Sequence, residues 1–396
     1  MRVLFATWAW STHFYPMVPL AWACRAEGHD VRVASQPELA ATIRATGLPA
    51  VSVGRDVDAA GLYRTKVHPM MDYGADDGLT AGERAARDRE RHLTALALYV
   101  EIMEAMAADL LEFARAWRPD AVVYDPMTWA APLAAQELGV PAVRNLFGPD
   151  IGYWFRPEGE GVLDPLMAAL GTREPNTVGD LTVDPCPPAL QNDAPLNRCR
   201  FRYVPFSGLS EVPPRMHEQP SRPRICLTWG TSTDRLTGRE SFLPGDVTGA
   251  VASVGAEADA EVVLAITARQ RSLLPELPDT VRVIESVPLD ALLPTCDLVV
   301  HQGGGGTTLT AAKYGVAQLH LPQLPDQMIN SRHLAATGAG MLLRSDEASP
   351  DAVRDCVRRL FDKGSSYRDA AAALAADVAA QPPLSTVVDE IVRLAA

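Results

Sequence analysis

Short apolar runs alternate with amphipathic stretches along the first half of the chain. The runs have the length and β-branched content of buried strands, and they are RVLFAT (2–7), HDVRVAS (29–35), LPAVSVG (48–54), DAVVYDP (120–126) and VPAVRNLF (140–147). A helical stretch follows the first run, beginning near Pro16 and ending at Gly28, and proline and glycine are typical of these two helix ends. Further helical stretches cover 37–46 and 129–138. The alternation predicts βαβ units and a parallel sheet.

The same alternation restarts in the second half, after a region that lacks it. Residues 173–222 are dense in proline, serine, asparagine and aspartate, and we place a domain linker at 206–222. The strands expected beyond the linker are RICLTWG (224–230), EVVLAIT (261–267), TVRVIES (280–286), DLVVHQ (297–302) and VAQLHLP (316–322). The sequence therefore predicts an α/β protein with two doubly wound domains, residues 1–205 and 223–380, and a C-terminal helix at 381–396 that packs back on the N-terminal domain.

The composition is typical of a soluble globular enzyme. The chain has 396 residues, of which 47% are hydrophobic and 21% charged, and this length suffices for two cores. The net charge of −13 argues against nucleic acid and against an anionic membrane as the main partner. The six cysteines include no C-x-x-C pair, which favours a reducing compartment.

The sequence predicts neither a membrane span nor a signal peptide. The most apolar long stretch, ALALYVEIMEAMAADLLEFA (95–114), carries acids at Glu101, Glu104, Asp109 and Glu112, a pattern typical of an amphipathic helix. The first residues, MRVLFATWAWSTHFYP, lack the layout of a signal peptide. We therefore expect a cytoplasmic protein.

Four consecutive glycines, Gly303–Gly306, lie between an expected strand and an expected helix in DLVVHQGGGGTTLTAAKYG (297–315). Glycines at a helix start let an anion approach the unpaired N–H groups, and the helix dipole adds to the attraction. The fitting ligand is a phosphate or diphosphate, with hydroxyl donors at Thr307 and Thr308 and a ring donor at His301. The alternative is a flexible glycine turn. Neither a Walker loop nor a G-x-G-x-x-G fingerprint is present, which disfavours a nicotinamide dehydrogenase.

A carboxylate and an amide follow the next expected strand, in LPQLPDQMIN (321–330). Asp326 and Gln327 should lie at the same sheet edge as the glycines, where an acceptor and a mixed donor and acceptor suit sugar hydroxyls. The alternative is a solvated loop. The nearby phosphate loop favours the sugar-binding interpretation.

These motifs together resemble a known family. The segment 285–330 is similar to the nucleotide-sugar signature of family 1 glycosyltransferases, in V-P-L, His-x-Gly-Gly-Gly-Gly-Thr and P-x-x-x-D-Q. The segments 5–35 and DPCPPALQ (184–191) resemble more narrowly the actinobacterial enzymes that attach deoxysugars to polyketides, such as the macrolide and spinosyn glycosyltransferases. The resemblance implies a GT-B fold, with an N-terminal acceptor domain and a C-terminal nucleotide-sugar domain facing across a cleft.

The resemblance also implies which residues bind the donor. His301 and the amides of Gly304 to Thr307 would hold the diphosphate with help from Thr231. The backbone near Val287 would pair with the base, and the Asp–Gln pair would hold the sugar. The expected donor-binding set is Thr231, Ser286, Val287, His301, Gly303, Gly304, Gly305, Gly306, Thr307, Asp326 and Gln327.

Two departures from the family pattern concern the nucleotide. Ser286 stands where many relatives have an aromatic residue that stacks on uracil, and Leu309 stands where many UDP-sugar enzymes have a glutamate that grips the ribose diol. A missing carboxylate suits a ligand that has no 2′-hydroxyl. We therefore expect a TDP-sugar in preference to a UDP-sugar.

The candidate catalytic base is His13, in the loop after the first strand. A histidine titrates near neutral pH and can take a proton from an acceptor hydroxyl. Asp125, at the end of another strand of the same sheet, could fix its tautomer as in a His–Asp dyad, although D-P at a strand end also makes a plain turn. The alternative for a lone loop histidine is a surface or core residue, but the family pattern places the base here.

The mechanism that follows is a single in-line displacement that inverts the anomeric centre. TDP leaves with its charge held by His301, Thr307 and the helix N-terminus, so that neither a metal nor another cofactor is required. The acidic segment GADDG (74–78) could suggest a metal site, but a polar loop is the favoured interpretation.

Aromatic and methionine residues in loops suggest a large apolar acceptor such as a macrolide or aromatic polyketide. The candidate acceptor-binding residues are Trp8, Trp10, Phe14, Met70, Met71, Tyr73 and Trp154, each of which could equally be ordinary packing.

Three other functions compete with a TDP-deoxysugar transferase. They are a UDP-sugar transferase of broad acceptor range, a catalytically silent partner in a glycosyltransferase complex, and a nucleotide-sugar epimerase, which is disfavoured because the N-terminal loop offers no carboxylate pair. The sequence leaves open which deoxysugar and aglycone are used, whether a helper protein is required, as some macrolide relatives need, and whether the protein is a homodimer.

Overall fold

The computed structural model describes residues 1–396 with the exception of 72–78, 154, 215, 217, 219, 238–244, 275, 345 and 363. The chain forms two compact units. The first comprises Met1–Asp184, Asp193–Phe201 and Pro382–Ala396, and the second comprises Pro185–Asn192 and Arg202–Gln381. Within the described residues, no helix is both long enough and apolar enough to cross a membrane.

The first unit contains a seven-stranded sheet in which every pair of neighbouring strands is parallel. Its strands are β1 (Arg2–Ala6), β2 (Asp30–Ser35), β3 (Ala50–Ser52), β4 (Ala121–Tyr124), β5 (Ala142–Asn145), β6 (Leu181–Asp184) and β7 (Arg198–Arg200). Their order is β3-β2-β1-β4-β5-β6-β7. The five strands predicted from the sequence are β1 to β5. The last two strands were missed, because they have only four and three residues and lie in the Pro- and Asp-rich region.

Helices connect these strands, and they are α1 (Ser11–Phe14), α2 (Val18–Ala26), α3 (Ala40–Ala45), α4 (Ala59–Leu62), α5 (Ala81–Trp117), α6 (Ala130–Leu138) and α7 (Asp164–Leu170). The predicted stretch 95–114 is the C-terminal part of α5, which starts at a capping box between Thr80 and Glu83 and ends at Arg118 with a left-handed φ of 54°. The helix starts earlier than its apolar residues suggest because this cap satisfies its first N–H groups.

The second unit contains a six-stranded sheet that is also entirely parallel. Its strands are β8 (Arg224–Thr228), β9 (Glu261–Ile266), β10 (Val281–Glu285), β11 (Leu298–His301), β12 (Ala317–His320) and β13 (Gly340–Leu342), in the order β10-β9-β8-β11-β12-β13. The short edge strand β13 was not predicted. The helices are α8 (Thr233–Thr237), α9 (Gly245–Glu257), α10 (Leu289–Leu292), α11 (Gly305–Lys313), α12 (Pro325–Thr337), α13 (Pro350–Phe361) and α14 (Ser366–Ala379).

Each unit is built from more than one segment of the chain, whereas the single linker predicted at 206–222 would divide the chain only once. Pro185–Asn192 belongs to the second unit, where the 3₁₀ turn Pro188–Leu190 packs against α12. The last helix, α15 (Ser385–Ala395), belongs to the first unit, where it packs against α2 and β7. Both candidate sites begin at strand ends within single units, so each is described within its own unit.

Candidate active site

His13 and Asp125 form an ion pair in the first unit. Strands β1 and β4 are neighbours with Ala6 in register with Tyr124, so the segments that follow them leave the same edge of the sheet. His13 lies in α1, and its Nδ1 is 2.7 Å from Oδ1 of Asp125. The His13 side chain is 15% exposed and that of Asp125 is 0% exposed. The sequence prediction placed these residues at one sheet edge, and the structure brings them into hydrogen-bond contact.

Donors surround the buried Asp125 carboxylate. The Thr128 hydroxyl donates a short hydrogen bond to Oδ2, and the Met127 N–H donates to Oδ1 at 3.1 Å. The Thr7 hydroxyl lies 3.5 Å from Oδ2. These donors fix the orientation of the carboxylate whose Oδ1 contacts Nδ1 of His13. Asp125 therefore engages Nδ1 of His13, and Nε2 is the ring nitrogen that it does not contact.

Aromatic rings enclose the His13 imidazole. The Trp8 ring meets it edge-on at a centroid distance of 4.9 Å, and the Phe147 ring lies 4.6 Å away. Trp8 also stacks on Trp10 at 5.1 Å, and both indoles are almost fully buried. Phe14 is in the core at 1% exposure, which leaves it no surface for an acceptor, so its predicted acceptor role is replaced by packing. Trp8 packs against His13 and Trp10 packs on Trp8, so neither indole forms an open apolar surface.

The other predicted acceptor residues are Met70, Met71, Tyr73 and Trp154. Met70 and Met71 belong to a 3₁₀ helix, His68–Met71. Tyr73, Trp154 and the segment 74–78 fall outside the described residues. Within the described residues, no group of three or more His, Cys, Asp or Glu side chains could hold a metal ion.

Three residues that support the dyad were missed in the sequence. Gln36, directly after β2, accepts from the Ala9 N–H at 2.7 Å and donates to the Arg55 carbonyl at 3.2 Å. Thr128 accepts from the Trp8 N–H at 2.9 Å as well as donating to Asp125. Phe147 stacks on His13 as described. All three residues lie just beyond the carboxyl ends of strands β2, β4 and β5, the edge of a parallel sheet at which ligands bind, and this position could have identified them.

The glycine loop of the second unit joins β11 to α11, as predicted, but Gly303 serves the fold. Its φ is +87°, and a Cβ here would lie 2.8 Å from Ser331 Oγ and 3.1 Å from the Gln327 carbonyl. Its N–H donates to Nδ1 of His301 at 3.1 Å, and its carbonyl accepts from Asn330 at 2.8 Å. Both backbone groups are therefore bound within the unit, and the predicted use of the Gly303 amide for an anion is corrected.

The later glycines leave the start of α11 open. A Cβ on Gly306 would meet only Tyr203 Oη, at 3.9 Å, and one on Gly304 would meet Gln302 Nε2 at 3.2 Å. The first intrahelical bond runs from the Thr308 N–H to the Gly304 carbonyl, so the N–H groups of Gly305, Gly306 and Thr307 precede the helical ladder. These are the groups that can receive an anion. The Thr308 hydroxyl donates back to the Gly304 carbonyl and is not aimed outward.

His301 is fully buried and acts inside the unit. Its Nε2 is 3.0 Å from Gln318 Oε1, and its Nδ1 accepts from Gly303. Burial lowers the pKa of His301 to about 4, so the ring is neutral near pH 7. Because both ring nitrogens have partners, the predicted direct donation to a phosphate oxygen is replaced by a structural role in the loop.

Gln327 also turns inward. Its Oε1 accepts from the N–H groups of Gln323 and Leu324 at 2.8 and 3.1 Å, and its Nε2 donates to Thr233 at 3.3 Å. The side chain is buried and fixes the start of α12, so its predicted contact with sugar hydroxyls is corrected. Asp326, in the first turn of α12, is half-buried.

The remaining donor residues lie beyond β8 and β10. Thr231 is exposed, Ser286 is exposed with a left-handed φ of 56°, and Val287 is half-buried. A residue missed in the sequence, Gln302, fills the space between the ends of β8 and β11, since its Nε2 would lie 2.2 Å from a Cβ on Gly230.

Leu309 packs into an apolar cluster of the second unit. This cluster also contains Cys186, Leu190, Tyr203, Ala312, Leu334, Ala339, Ala371, Leu374 and Val378. A glutamate at this position would lose its hydration among apolar side chains. The leucine therefore has a packing reason that is independent of the ribose, which weakens the nucleotide argument built on this position.

Family models match most of the chain. Residues 22–230 match the N-terminal domain of erythromycin biosynthesis protein CIII-like proteins, and residues 250–394 match the C-terminal domain of the same family.

Curated relatives align along their full length. The chain is 37% identical to a 10-deoxymethynolide desosaminyltransferase of Streptomyces venezuelae over 425 residues, covering 100% of this chain and 97% of the relative. It is 36% identical to a 3-alpha-mycarosylerythronolide B desosaminyl transferase of Saccharopolyspora erythraea, covering 100% and 99%.

Solved structures share the fold. The glycosyltransferase VinC in complex with dTDP has a TM-score of 0.79 and 34% identity, covering 100% of this chain and 99% of that one. The spinosyn rhamnosyltransferase SpnG complexed with thymidine diphosphate has a TM-score of 0.79 and 30% identity, covering 99% and 100%. These similarities confirm the predicted GT-B class of two parallel-sheet α/β units.

Proposed function

The chain belongs to the erythromycin biosynthesis protein CIII-like family and is a glycosyltransferase, and from this premise we propose that it transfers a deoxysugar from a TDP-sugar to a hydroxyl of a polyketide-type acceptor. The observation that carries the proposal is the His13–Asp125 pair, 2.7 Å apart at the carboxyl edge of a parallel sheet. Relatives over the full chain are named as sugar transferases to macrolide and anthracycline acceptors, which supports the substrate class.

His13 is the proposed general base. Asp125 holds Nδ1–H, so Nε2 takes the proton of the acceptor hydroxyl as its oxygen attacks the anomeric carbon. The buried carboxylate then stabilises the imidazolium that forms. The rings of Trp8 and Phe147 against His13 limit its rotation and keep water from one side of the base.

The diphosphate leaving group is proposed to bind at the start of α11. The N–H groups of Gly305, Gly306 and Thr307 and the helix dipole favour the negative charge that develops on TDP. One displacement by the acceptor oxygen inverts the anomeric centre. Neither a metal ion nor another cofactor has a role in this scheme, because backbone donors supply the charge stabilisation.

The proposed setting is the cytoplasm. All six cysteines are free thiols, four of them buried, which is typical of proteins in a reducing compartment.

The proposal is tested by turnover with and without the base. The substrates are a TDP-deoxysugar and the macrolide and anthracycline aglycones in the relatives' names, 10-deoxymethynolide and aklavinone. We expect His13→Ala to lower kcat by roughly 100-fold or more, with TDP affinity unchanged. Asp125→Asn should lower kcat in the same direction, because the amide no longer fixes the tautomer or the charge. Product is quantified by chromatography and TDP affinity by calorimetry.

The matched control is His29→Ala, which alters a histidine just before β2, at the opposite edge of the same sheet. Its kcat should equal that of the wild type. Full turnover by His13→Ala would reject the base assignment. A wild-type protein that binds TDP but transfers no sugar to any acceptor would favour the catalytically silent partner.

A further inference from the structure

A chain of buried polar side chains lies beneath the glycine loop, and the proposed mechanism does not use it. It consists of Gln318 and His320 of β12 together with Asn330 and Ser331 of α12, and every member is at most 4% exposed. Buried polar groups are costly unless each finds a partner, so the hydrogen bonds in this chain restrict one another.

The Gly303 amide fixes the tautomer of His301. A backbone N–H can only donate, so Nδ1 of His301, 3.1 Å away, must carry a lone pair. In the neutral ring the proton is then on Nε2, which donates to Gln318 Oε1 at 3.0 Å. The opposite tautomer would place two hydrogens between Nδ1 and the Gly303 nitrogen.

The side-chain oxygen of Gln318 also contacts a second histidine, His320. Its Nε2 donates to the Thr308 carbonyl at 3.3 Å, which places Oε1 toward both imidazoles. His320 Nε2 is also 3.0 Å from that oxygen, so it too carries a proton. The two rings meet edge-on at a centroid distance of 4.2 Å, and burial holds the pKa of His320 well below its usual range, so both rings are neutral.

The far end of the chain is α12. Nδ1 of His320 lies 3.0 Å from the Ser331 hydroxyl. That hydroxyl donates to the carbonyl of Gln327 at 2.6 Å, and the Gln327 side chain fixes the start of α12. Asn330, from the next turn, holds the Gly303 carbonyl at 2.8 Å. The chain therefore joins the helix that carries Asp326 to the peptide that precedes α11.

We propose that His320 is a positioning residue for donor binding, because its bond to Gln318 holds in place the oxygen that accepts Nε2–H of His301, and Nδ1 of His301 in turn holds the Gly303 peptide and the N–H groups following it. This inference rests on the proposed function in assigning those N–H groups to the diphosphate. His320 touches no substrate, and its effect reaches the diphosphate only through three intervening side-chain and backbone contacts.

The first test is the imidazole tautomer in the wild-type protein. Long-range ¹H–¹⁵N spectra of protein labelled with ¹⁵N-histidine, near pH 7, distinguish a protonated from an unprotonated ring nitrogen. The expected result is a neutral Nε2–H ring for both His301 and His320. A Nδ1–H or doubly protonated His301 would overturn the proposal, and this outcome depends on neither a variant nor a ligand.

The second test uses two replacements that each keep one half of the imidazole. In His320→Gln the amide N–H₂ can replace Nε2–H and still donate to Gln318, whereas in His320→Asn the shorter side chain can reach Ser331 but not Gln318. We expect His320→Gln to bind TDP within about threefold of the wild type. His320→Asn should lose about tenfold, the effect of one buried hydrogen bond, and should shift the His301 resonances.

The matched control is His333→Gln. His333 is a histidine of α12 that bonds Asn192 at 2.8 Å and takes no part in the hydrogen bonds of His301, Gln318 and His320. It should leave both TDP affinity and the His301 resonances unchanged. A folded His320→Asn with wild-type TDP affinity, or equal losses in both His320 variants, would overturn the positioning role. If the wild type itself binds no TDP, the proposed donor fails, while the tautomer spectra still decide the hydrogen-bond assignment.

Discussion

At the scale of single residues, the buried histidines of the second unit and the partly exposed histidine of the first unit have different environments. His13 is accessible and paired with a carboxylate, the arrangement that gives and takes protons. His301 and His320 are fully buried and face neutral amide and hydroxyl partners, which disfavours their charged form. The same residue type is therefore partly exposed and paired with a carboxylate in one unit, and fully buried beneath the glycine loop in the other.

This difference predicts how stability depends on pH. The pKa of His301 is about 4 in the folded protein, below its unfolded value near 6.5, so between these values the unfolded chain binds the additional proton. Stability from this group is complete above pH 6.5 and is lost as pH falls toward 4. From pH 6.5 to 5 one such histidine should cost about 2 kcal/mol of unfolding free energy, and His320 adds a loss of the same sign. Urea unfolding at pH 7, 6 and 5 measures this loss.

The control is His301→Asn, whose amide oxygen can still accept from Gly303 but does not titrate. Its unfolding free energy should fall less steeply between pH 6.5 and 5 than that of the wild type. A wild-type stability that stays level or rises on acidification over this range would contradict the buried neutral histidines.

At the scale of elements, the loop before α11 and the first turn of α11 place consecutive glycines in different surroundings. Gly303 is confined by Ser331 and Gln327 of α12, whereas Gly306 faces open space apart from Tyr203. The sequence shows four identical letters, but only the packing of α12 on the loop separates those required by the fold from those available to a ligand.

Alanine at these two positions should therefore have opposite effects. Gly303→Ala must adopt a left-handed φ and displace Ser331, which should cost roughly 1–3 kcal/mol of stability.

Gly306→Ala lies inside a helix with room for a methyl group, so stability should stay equal or rise by about 0.5–1 kcal/mol. Its methyl group should nonetheless weaken TDP binding, because it stands beside the N–H groups of the first turn. Thermal unfolding and calorimetry with TDP measure the two effects, and a Gly306→Ala protein with unchanged TDP affinity would contradict the anion site.

The sequence predicted elements where apolar periodicity is strong. The central strands β1, β4, β8 and β11 were found because each is an apolar run between helices. The strand β6 and the edge strands β7 and β13 have only three or four residues, and pairing with a neighbour rather than a hydrophobic pattern defines them. Gln327 was predicted to bind a sugar, but its side chain points inward, where it bonds Thr233 and the backbone of Gln323 and Leu324. No sequence pattern fixes the direction of such a side chain.

At the scale of the whole molecule, the two units are built from interleaved pieces of chain. Helix α15 ends the sequence yet belongs to the first unit, where Val387, Val388 and Ile391 are buried. Both this helix and its packing on the N-terminal domain were predicted from the sequence. Proteins in which a terminal segment completes a distant unit gain stability from that segment.

Two neighbouring substitutions test how much α15 contributes to the unfolding free energy of the first unit. Ile391→Ala should lower the unfolding free energy of the first unit by roughly 2–5 kcal/mol, because it removes a fully buried side chain. Val392→Ala, at a position 37% exposed, should change it by less than about 0.5 kcal/mol. Chemical denaturation measures both, and equal effects would show that α15 does not stabilise the unit through its buried face.

The net charge of −13 gives the whole molecule no general attraction for a nucleoside diphosphate, so binding must come from local donors. The most direct measurement of the central claim is calorimetric titration of the full chain with TDP, UDP and ADP in the absence of added metal. The account predicts saturable binding of TDP that is stronger than binding of UDP or ADP. Equal or tighter UDP binding would contradict the TDP assignment while keeping the glycosyltransferase, and no binding of any of the three would contradict the diphosphate site at the start of α11.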